Sequence, residues 1–268
     1  MFTLHRIIPK RVRKFLLNLP LFRIIFKYFA GNKTVQVYWK GGRFYFNAYR
    51  NFGFATVNLD GIEEVQRTFA QVWISKLECK TAWDIGANIG FWTVSLASMM
   101  GKGSDILAIE PDIRNIFYLK KNASEHNANI RVLNIGVSSR EGVAVLNTDE
   151  TGALNSIEAV NEATFTGQEN IAVETLDSIA KQFGVPDFIK LDVEGHEYEV
   201  IRGGMSTLQA RKTIWLIEVT NNGPAVIELL HKTGYTVVNM LSEEIFSPEY
   251  YVGAVPEEMY KIWCNKTP

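Results

Sequence analysis

Cysteine is nearly absent from this chain of 268 residues: Cys79 and Cys264 are the only two, and neither belongs to a C-x-x-C pair or a metal-ligand spacing. A disulfide scaffold and a structural zinc site are therefore excluded, and both residues read as reduced thiols of an intracellular protein. Long apolar runs are missing as well. The longest uncharged stretch of the N-terminal segment, Phe15–Phe22, is broken by Asn18 and Pro20 and followed by Arg23 and Lys27. Neither the roughly 7–15-residue core of a signal peptide nor the ~20 apolar residues of a membrane span is expected. Internal repeats and low-complexity tracts are lacking too. With 47% hydrophobic and 21% charged residues, disorder, collagen and coiled coil are ruled out.

Acidic residues are absent from positions 1–59, which hold eleven Lys and Arg; the first acid is Asp60. The remaining chain holds seventeen bases against twenty-nine acids, so a net charge of −1 conceals halves of about +11 and −12. Such an asymmetry points to an anionic partner for the N-terminal part. Val12, Phe15, Leu16 and Leu19 fall at helical spacing, and Phe22, Ile25, Phe26 and Phe29 repeat it. Two short amphipathic helices are expected, with Lys10, Arg11, Arg13, Lys14, Arg23 and Lys27 on the other faces. They would dock on the main domain or lie, through residues 1–30, on the anionic inner face of a membrane. Nucleic acid is not an expected partner, and the location expected is cytoplasmic. Val35–Phe46 reads as a β-hairpin turning at Gly41-Gly42. Residues 1–60 thus form an extension to a domain spanning 61–268.

From residue 61 helix and strand alternate. Ile62–Leu77 reads as a helix, and short apolar strands follow at Thr81–Asp84, Asp105–Glu110, Ile130–Ile135, Asp187–Asp192 and Thr213–Val219. Helices are expected between them at Asp112–Asn127 and Glu197–Leu208. This is the pattern of a mostly parallel sheet with helices on both faces. Tyr235–Met240 and Met259–Cys264 read as two further strands pairing antiparallel at the sheet edge.

Open α/β sheets bind ligands at the carboxyl ends of their strands. Asp84, Glu110, Asp192 and Glu218 stand at or near such ends, where each is a ligand-binding acid or a helix cap. Asp84-Ile-Gly86-Ala-Asn88-Ile-Gly90 places a G-x-x-x-G turn after a strand and before a helix, whose first amides offer donors. Glu110 ends the next strand, where a carboxylate accepts from both hydroxyls of a ribose. A dinucleotide fingerprint expects a glycine where Ala87 stands, and Asp84 would repel a pyrophosphate but attract an amino group. S-adenosylmethionine is favoured over NAD.

Asp84–Thr93, Ile109-Glu-Pro111, Glu174-Thr-Leu-Asp177, and Ile189–Glu197 followed by Gly203-Gly204 together resemble the FkbM family of S-adenosylmethionine-dependent methyltransferases, over roughly residues 80–240. The resemblance implies a class I methyltransferase (Rossmann-like) α/β fold and O-methylation of hydroxyls on sugars and other natural products. Asp84, Gly86, Asn88 and Gly90 match the family's cofactor loop and Glu110 its ribose acid. Val137, just past the third strand, takes the position that contacts adenine in such folds. Leu154-Asn-Ser156 resembles an Asn-Ser stretch of the family with no role derivable from the sequence.

Methyl transfer to oxygen needs the acceptor held in line and one proton removed. Asp192-Val-Glu194-Gly-His196 sits at a strand end on the same rim as the cofactor loop. Asp192, Glu194 and His196 are the candidate catalytic residues, His196 because its ordinary pKa of about 6.5 suits a base near neutral pH. The competing reading makes Asp192 and Glu194 caps of the helix that His196 begins. Asp192, Glu194 and Glu218 could also gather Mg2+, though no spacing requires it. His5, His126 and His231 read as structural or exposed. Two other functions stay open on sequence alone. One is a metal-dependent glycosyltransferase using Asp192-Val-Glu194 as a D-x-D-like motif, and the other is a non-catalytic membrane-associated binding protein. The acceptor is expected to be a small molecule or a glycan.

Overall fold

Central strands that are apolar on both faces have to be covered on both faces, and this requirement organises the chain. The computed structural model describes residues 28–31, 33–51, 54, 59–149, 155–157, 165–239 and 250–266. The two amphipathic helices expected before residue 30 lie outside these residues, apart from one helical turn at 28–30.

The hairpin forms as its alternation demands. Strands β1 (Thr34–Trp39) and β2 (Gly42–Asn47) pair antiparallel with Trp39 opposite Gly42. Positive φ falls on Lys40 (46°) and Gly41 (80°), so the turn sits one residue earlier than the expected Gly41-Gly42. Gly42 belongs to the strand because a Cβ there would come within 3.0 Å of the Glu125 carbonyl oxygen and the His126 ring.

Helix α1 (Glu64–Leu77) leads into strand β3 (Thr81–Ile85), and α2 (Phe91–Met100), β4 (Asp105–Ile109), α3 (Ile113–Glu125) and β5 (Ile130–Leu133) follow. A small sheet not anticipated from the sequence comes next, built from β6 (Gly136–Ser138), β7 (Gly142–Thr148) and β8 (Gly167–Thr175). Its order is β6-β8-β7. The chain continues through α4 (Leu176–Phe183), β9 (Phe188–Leu191), α5 (Glu197–Arg202), α6 (Met205–Gln209), β10 (Ile214–Val219) and α7 (Gly223–Lys232). It closes with β11 (Tyr235–Asn239), β12 (Tyr250–Pro256) and α8 (Glu257–Lys266). The main sheet runs β11-β12-β10-β9-β3-β4-β5, and β12 alone is antiparallel to its neighbours. From β3 the chain steps outward to β5 and then returns to the other side of β3 through β9. The strand order therefore reverses between β3 and β9, where such sheets bind ligands.

Two expectations need correction. Met259–Cys264 is helical, within α8, and the antiparallel partner of β11 is β12. Met259, Ile262 and Trp263 also fit helical spacing, and β12 was obscured by Gly253, where a Cβ would lie 2.4 Å from the Phe69 ring of α1. The helix expected over Glu197–Leu208 is two, broken at Gly203-Gly204. A Cβ on Gly203 would lie 2.2 Å from the Ser138 carbonyl oxygen, and one on Gly204 would lie 2.4 Å from Leu176 Cδ2. The hairpin packs on the main domain: Phe44 and Phe46 share one core cluster with Phe91, Phe188 and Leu216. Ile85, Ile189, Leu191 and Trp215 form the core of the opposite face.

Candidate active site

The glycine turn is a stitch between two strands. Gly86 and Ala87 donate their amides to the Ile109 carbonyl (2.9 and 3.1 Å), Asn88 to Glu110 Oε2 (2.8 Å), Ile89 to Asn88 Oδ1 (2.8 Å) and Gly90 to the Ala87 carbonyl (2.8 Å). Every amide from Gly86 to Gly90 is thus committed inside the protein, and the turn presents none of them to a pyrophosphate. Gly86 (φ 80°) cannot be another residue, because a Cβ would lie 1.6 Å from the Asp192 carbonyl oxygen. At Gly90 (φ 89°) a Cβ would meet Leu119 of α3 at 2.8 Å.

Glu110 is held from both sides. Its Oε2 accepts from Asn88 N, and its Oε1 accepts from Asp112 N (2.9 Å) and Asn115 Nδ2 (3.3 Å). The carboxylate is oriented by these three donors, with one of its roughly four acceptor sites left for a ligand. Burial pushes its pKa up to about 7, against the amides of Asp112 and Asn88. Asp84 lies on the inner side of the turn. It is 1% exposed and accepts from Thr93 Oγ1 (2.5 Å) and the Thr93 amide, so it caps the start of α2 from behind the turn. Burial raises its pKa to about 6.

A cavity of about 80 Å³ opens over the ends of β3, β4 and β9, walled by Gly86, Asn88, Glu110, Val137, Asp192 and His196. The Asn-Ser stretch closes its rim. Asn155, itself on the wall, donates to Asp112 Oδ2 (2.8 Å), and Ser156 Oγ donates to the Glu194 carbonyl (2.6 Å). The pair therefore ties the loop after β4 to the loop after β9, a role no local pattern reveals.

A second cavity, about 360 Å³, lies on the other side of the turn against Phe54, Ile62, Glu63, Phe91 and Trp92. Gly86, Asn88 and Asp192 line both cavities. Of the three candidate catalytic residues, Asp192 stands at this junction, whereas Glu194 and His196 line only the first cavity. The His196 ring meets Ser138 Oγ at 3.0 Å through Nε2.

Beneath Asp192 lies a residue to which sequence reasoning assigned no role. Lys190 is 0% exposed, with Nζ 3.0 Å from Asp192 Oδ2 and 3.8 Å from Glu218 Oε2, between the rings of Trp92 and Tyr251. Burial disfavours its charge, but the two carboxylates outweigh that cost and hold its pKa above the ordinary lysine value. Glu218 is pushed up to about 9 by burial and by Asp192, and it accepts from the Tyr251 hydroxyl. The cation between Asp192 and Glu218 is thus an ammonium, in the place where Mg2+ was considered. A lysine inside the apolar strand Phe188-Ile-Lys-Leu191 was the available signal. His126 is structural, its two ring nitrogens facing the carbonyls of Asn122 (2.8 Å) and Trp39 (2.9 Å). Among the described residues no group of three His, Cys, Asp or Glu is arranged to hold a metal, and no helix is long and apolar enough to cross a membrane.

A seven-stranded sheet with its last strand inserted antiparallel, a glycine turn after its first strand and an acid at the end of its second define a class I, Rossmann-like methyltransferase fold. Residues 84–237 match the methyltransferase FkbM domain, and the chain belongs to that family. Hexuronic acid methyltransferase AglP of Haloferax volcanii is 27% identical over 128 residues, 48% of this chain and 51% of that protein. The alignment thus spans about half the length of this curated relative. Among solved structures, methyltransferase FkbM from Methylobacillus flagellatus is 19% identical with a TM-score of 0.49, covering 77% of this chain and 53% of that one. TYW2 of M. jannaschii, solved with AdoMet, is 16% identical with a TM-score of 0.44, covering 83% and 84%.

Proposed function

We propose that this methyltransferase moves a methyl group from S-adenosylmethionine to a hydroxyl oxygen of a sugar. The observation that carries the reading is the meeting of two cavities at Gly86 and Asp192, one with a prearranged acid at a strand end and one with an aromatic and acidic wall. Glu110 fits a ribose hydroxyl because its carboxylate is already aimed by Asn88, Asp112 and Asn115, with Oε2 accepting only from Asn88. Val137 and Ile157 supply an apolar wall for the base, and Glu194 and His196 close the same cavity. When bound, S-adenosylmethionine supplies a methyl group on a sulfonium, which an acceptor oxygen attacks as the carbon–sulfur bond breaks.

Asp192 is the base of this proposal, since it borders both cavities and can take the hydroxyl proton where acceptor and cofactor sites meet. Lys190 anchors its Oδ2 from below. A sugar acceptor is supported by the relative named for hexuronic acid and by a cavity pairing rings with carboxylates. The test is transfer from labelled S-adenosylmethionine to a panel of glycosides, beside calorimetry of S-adenosylhomocysteine. Asp192→Asn should lose turnover by about 10²–10⁴-fold while S-adenosylhomocysteine binds as before. Full turnover in that variant would remove Asp192 as the base, and His196→Ala, measured in parallel, shows whether the histidine takes that part.

A further inference from the structure

Asp192 shares a buried ammonium with a second carboxyl. Lys190 Nζ lies 3.0 Å from Asp192 Oδ2 and 3.8 Å from Glu218 Oε2. Strands β9 and β10 run parallel with Leu191 opposite Ile217, so Asp192 and Glu218 are the next pair in register at the carboxyl edge of the sheet. Around them stand Asp84, opposite Lys190 on β3, Tyr251, opposite Glu218 on β12, and Glu63 ahead of α1, which accepts the indole N–H of Trp92. Burial and the surrounding acids raise the pKa of Tyr251, so its hydroxyl keeps its proton and donates a hydrogen bond to Glu218 Oε2. The rings of Trp92 and Tyr251 cover the ammonium at 5.8 and 5.5 Å.

Two carboxyls beside one buried ammonium keep one proton between them, because two like charges in a place shielded from water cannot both be stabilised. Geometry decides which of them carries it. Asp192 makes the shorter approach to Lys190 and opens on both cavities, so it is the ionised member. Glu218 stands further from the ammonium with Oε2 taken by Tyr251, and burial and Asp192 push its pKa up to about 9. We infer that Glu218 works as a neutral carboxyl that donates a hydrogen bond to the Asp192 carboxylate, and that it and Lys190 are the positioning residues of the base. A carboxylate has about four acceptor sites, so Asp192 held by these two donors keeps room for the acceptor hydroxyl. As that oxygen takes the methyl group and the carbon–sulfur electron pair passes to sulfur, the hydroxyl proton goes to Asp192, while Glu218 keeps its own. The inference rests on the reading of Asp192 as the base and adds the two residues that aim it.

The experiment uses the full chain, with Glu218→Leu and Glu218→Gln beside the unmodified protein, labelled S-adenosylmethionine and the best glycoside of the panel above. Glu218→Leu should lose at least about tenfold in kcat. Glu218→Gln should recover most of that loss, since its amide nitrogen donates where the neutral carboxyl did. S-adenosylhomocysteine affinity should be the same in all three. A loss in Glu218→Gln as deep as in Glu218→Leu means that the anion is what works there and overturns the inference, and full kcat in Glu218→Leu overturns it too. A second arm needs no acceptor and stands even if the leucine variant folds poorly. A carboxyl that is neutral when folded and ionised when unfolded makes the unmodified protein lose stability, relative to Glu218→Gln, as pH rises from about 5 to about 8. Asp84, Glu110 and Glu197, the other acids raised by burial, are common to both proteins and cancel in the difference. The difference in urea midpoint should therefore move steadily in favour of Glu218→Gln over that range, and a difference independent of pH overturns the inference. If the unmodified protein methylates no glycoside, the sugar-methyltransferase reading falls, and the urea comparison still decides whether Glu218 is neutral.

Discussion

Glu110 shows how one residue gives opposite pH dependences to stability and to binding. The unfolded chain releases this proton near the ordinary glutamate value of 4.5, whereas the folded protein holds it to about 7. Ligand-free stability therefore falls as pH rises from about 4.5 to 7, because folding costs more once the unfolded carboxyl is ionised. Ribose hydroxyls donate best to the ionised form, so S-adenosylhomocysteine should bind more tightly as pH rises through the same region. Calorimetry between pH 5.5 and 8.5 should show affinity rising toward a plateau above pH 7. Glu110→Gln should flatten that profile and weaken binding at pH 8 by about 1.5–3 kcal/mol. Lys190 gives a second prediction at this scale. Lys190→Met leaves Asp192, which lines both cavities, without its cation, so it should cost about 1–3 kcal/mol in urea denaturation. A loss below about 1 kcal/mol would mean the ion pair contributes nothing net.

At the scale of elements, the family's short motifs turn out to be joints. Thr175 caps α4 by accepting from the Ser178 amide (3.1 Å), and Asp177 accepts from the Ser206 amide, the Thr207 amide and the Thr207 hydroxyl, each at 2.8 Å. Glu174-Thr-Leu-Asp177 thus pins α4 to α6 across the Gly203-Gly204 break. Asp177→Ala should cost about 1–2 kcal/mol of stability with no change in S-adenosylhomocysteine affinity, read by thermal melts and calorimetry. Gly86→Ala should do both kinds of damage, since its Cβ would collide with the carbonyl of Asp192. We expect a loss of at least about 2 kcal/mol together with lost cofactor binding. Sequence periodicity located most of these elements because each buries an apolar face of its own. It misplaced the last strand because the middle of β12 is a glycine packed against Phe69, a partner 184 positions away in the chain.

At the scale of the whole molecule, the N-terminal hairpin is part of the methyltransferase core. Asn122 of α3 accepts from Tyr45 N (2.6 Å) and donates to the carbonyls of Tyr45 (2.9 Å) and Ile89 (2.8 Å), joining the hairpin to the cofactor turn. Arg50 reaches Asp112 (3.2 Å) at the start of the same helix. Denaturation should therefore show one transition by fluorescence and by circular dichroism, and removal of residues 1–60 should abolish it. Two transitions, or a folded truncated chain, would establish the hairpin as a separate unit. The sequence by itself determined the alternating α/β order, the glycine turn with its acid one strand later, and the Asp192 loop. Each of these is written in consecutive residues whose spacing obeys the period of a strand, a helix or a turn. Only the tertiary structure decided that Asp84 faces a helix start, that Asn155 and Ser156 bridge two loops, and that Asp192 rather than His196 stands between the cavities. It alone brought Lys190, Glu218, Trp92 and Tyr251 together, because which side chains converge depends on strand order and register, and distant residues share a site only once the sheet has assembled.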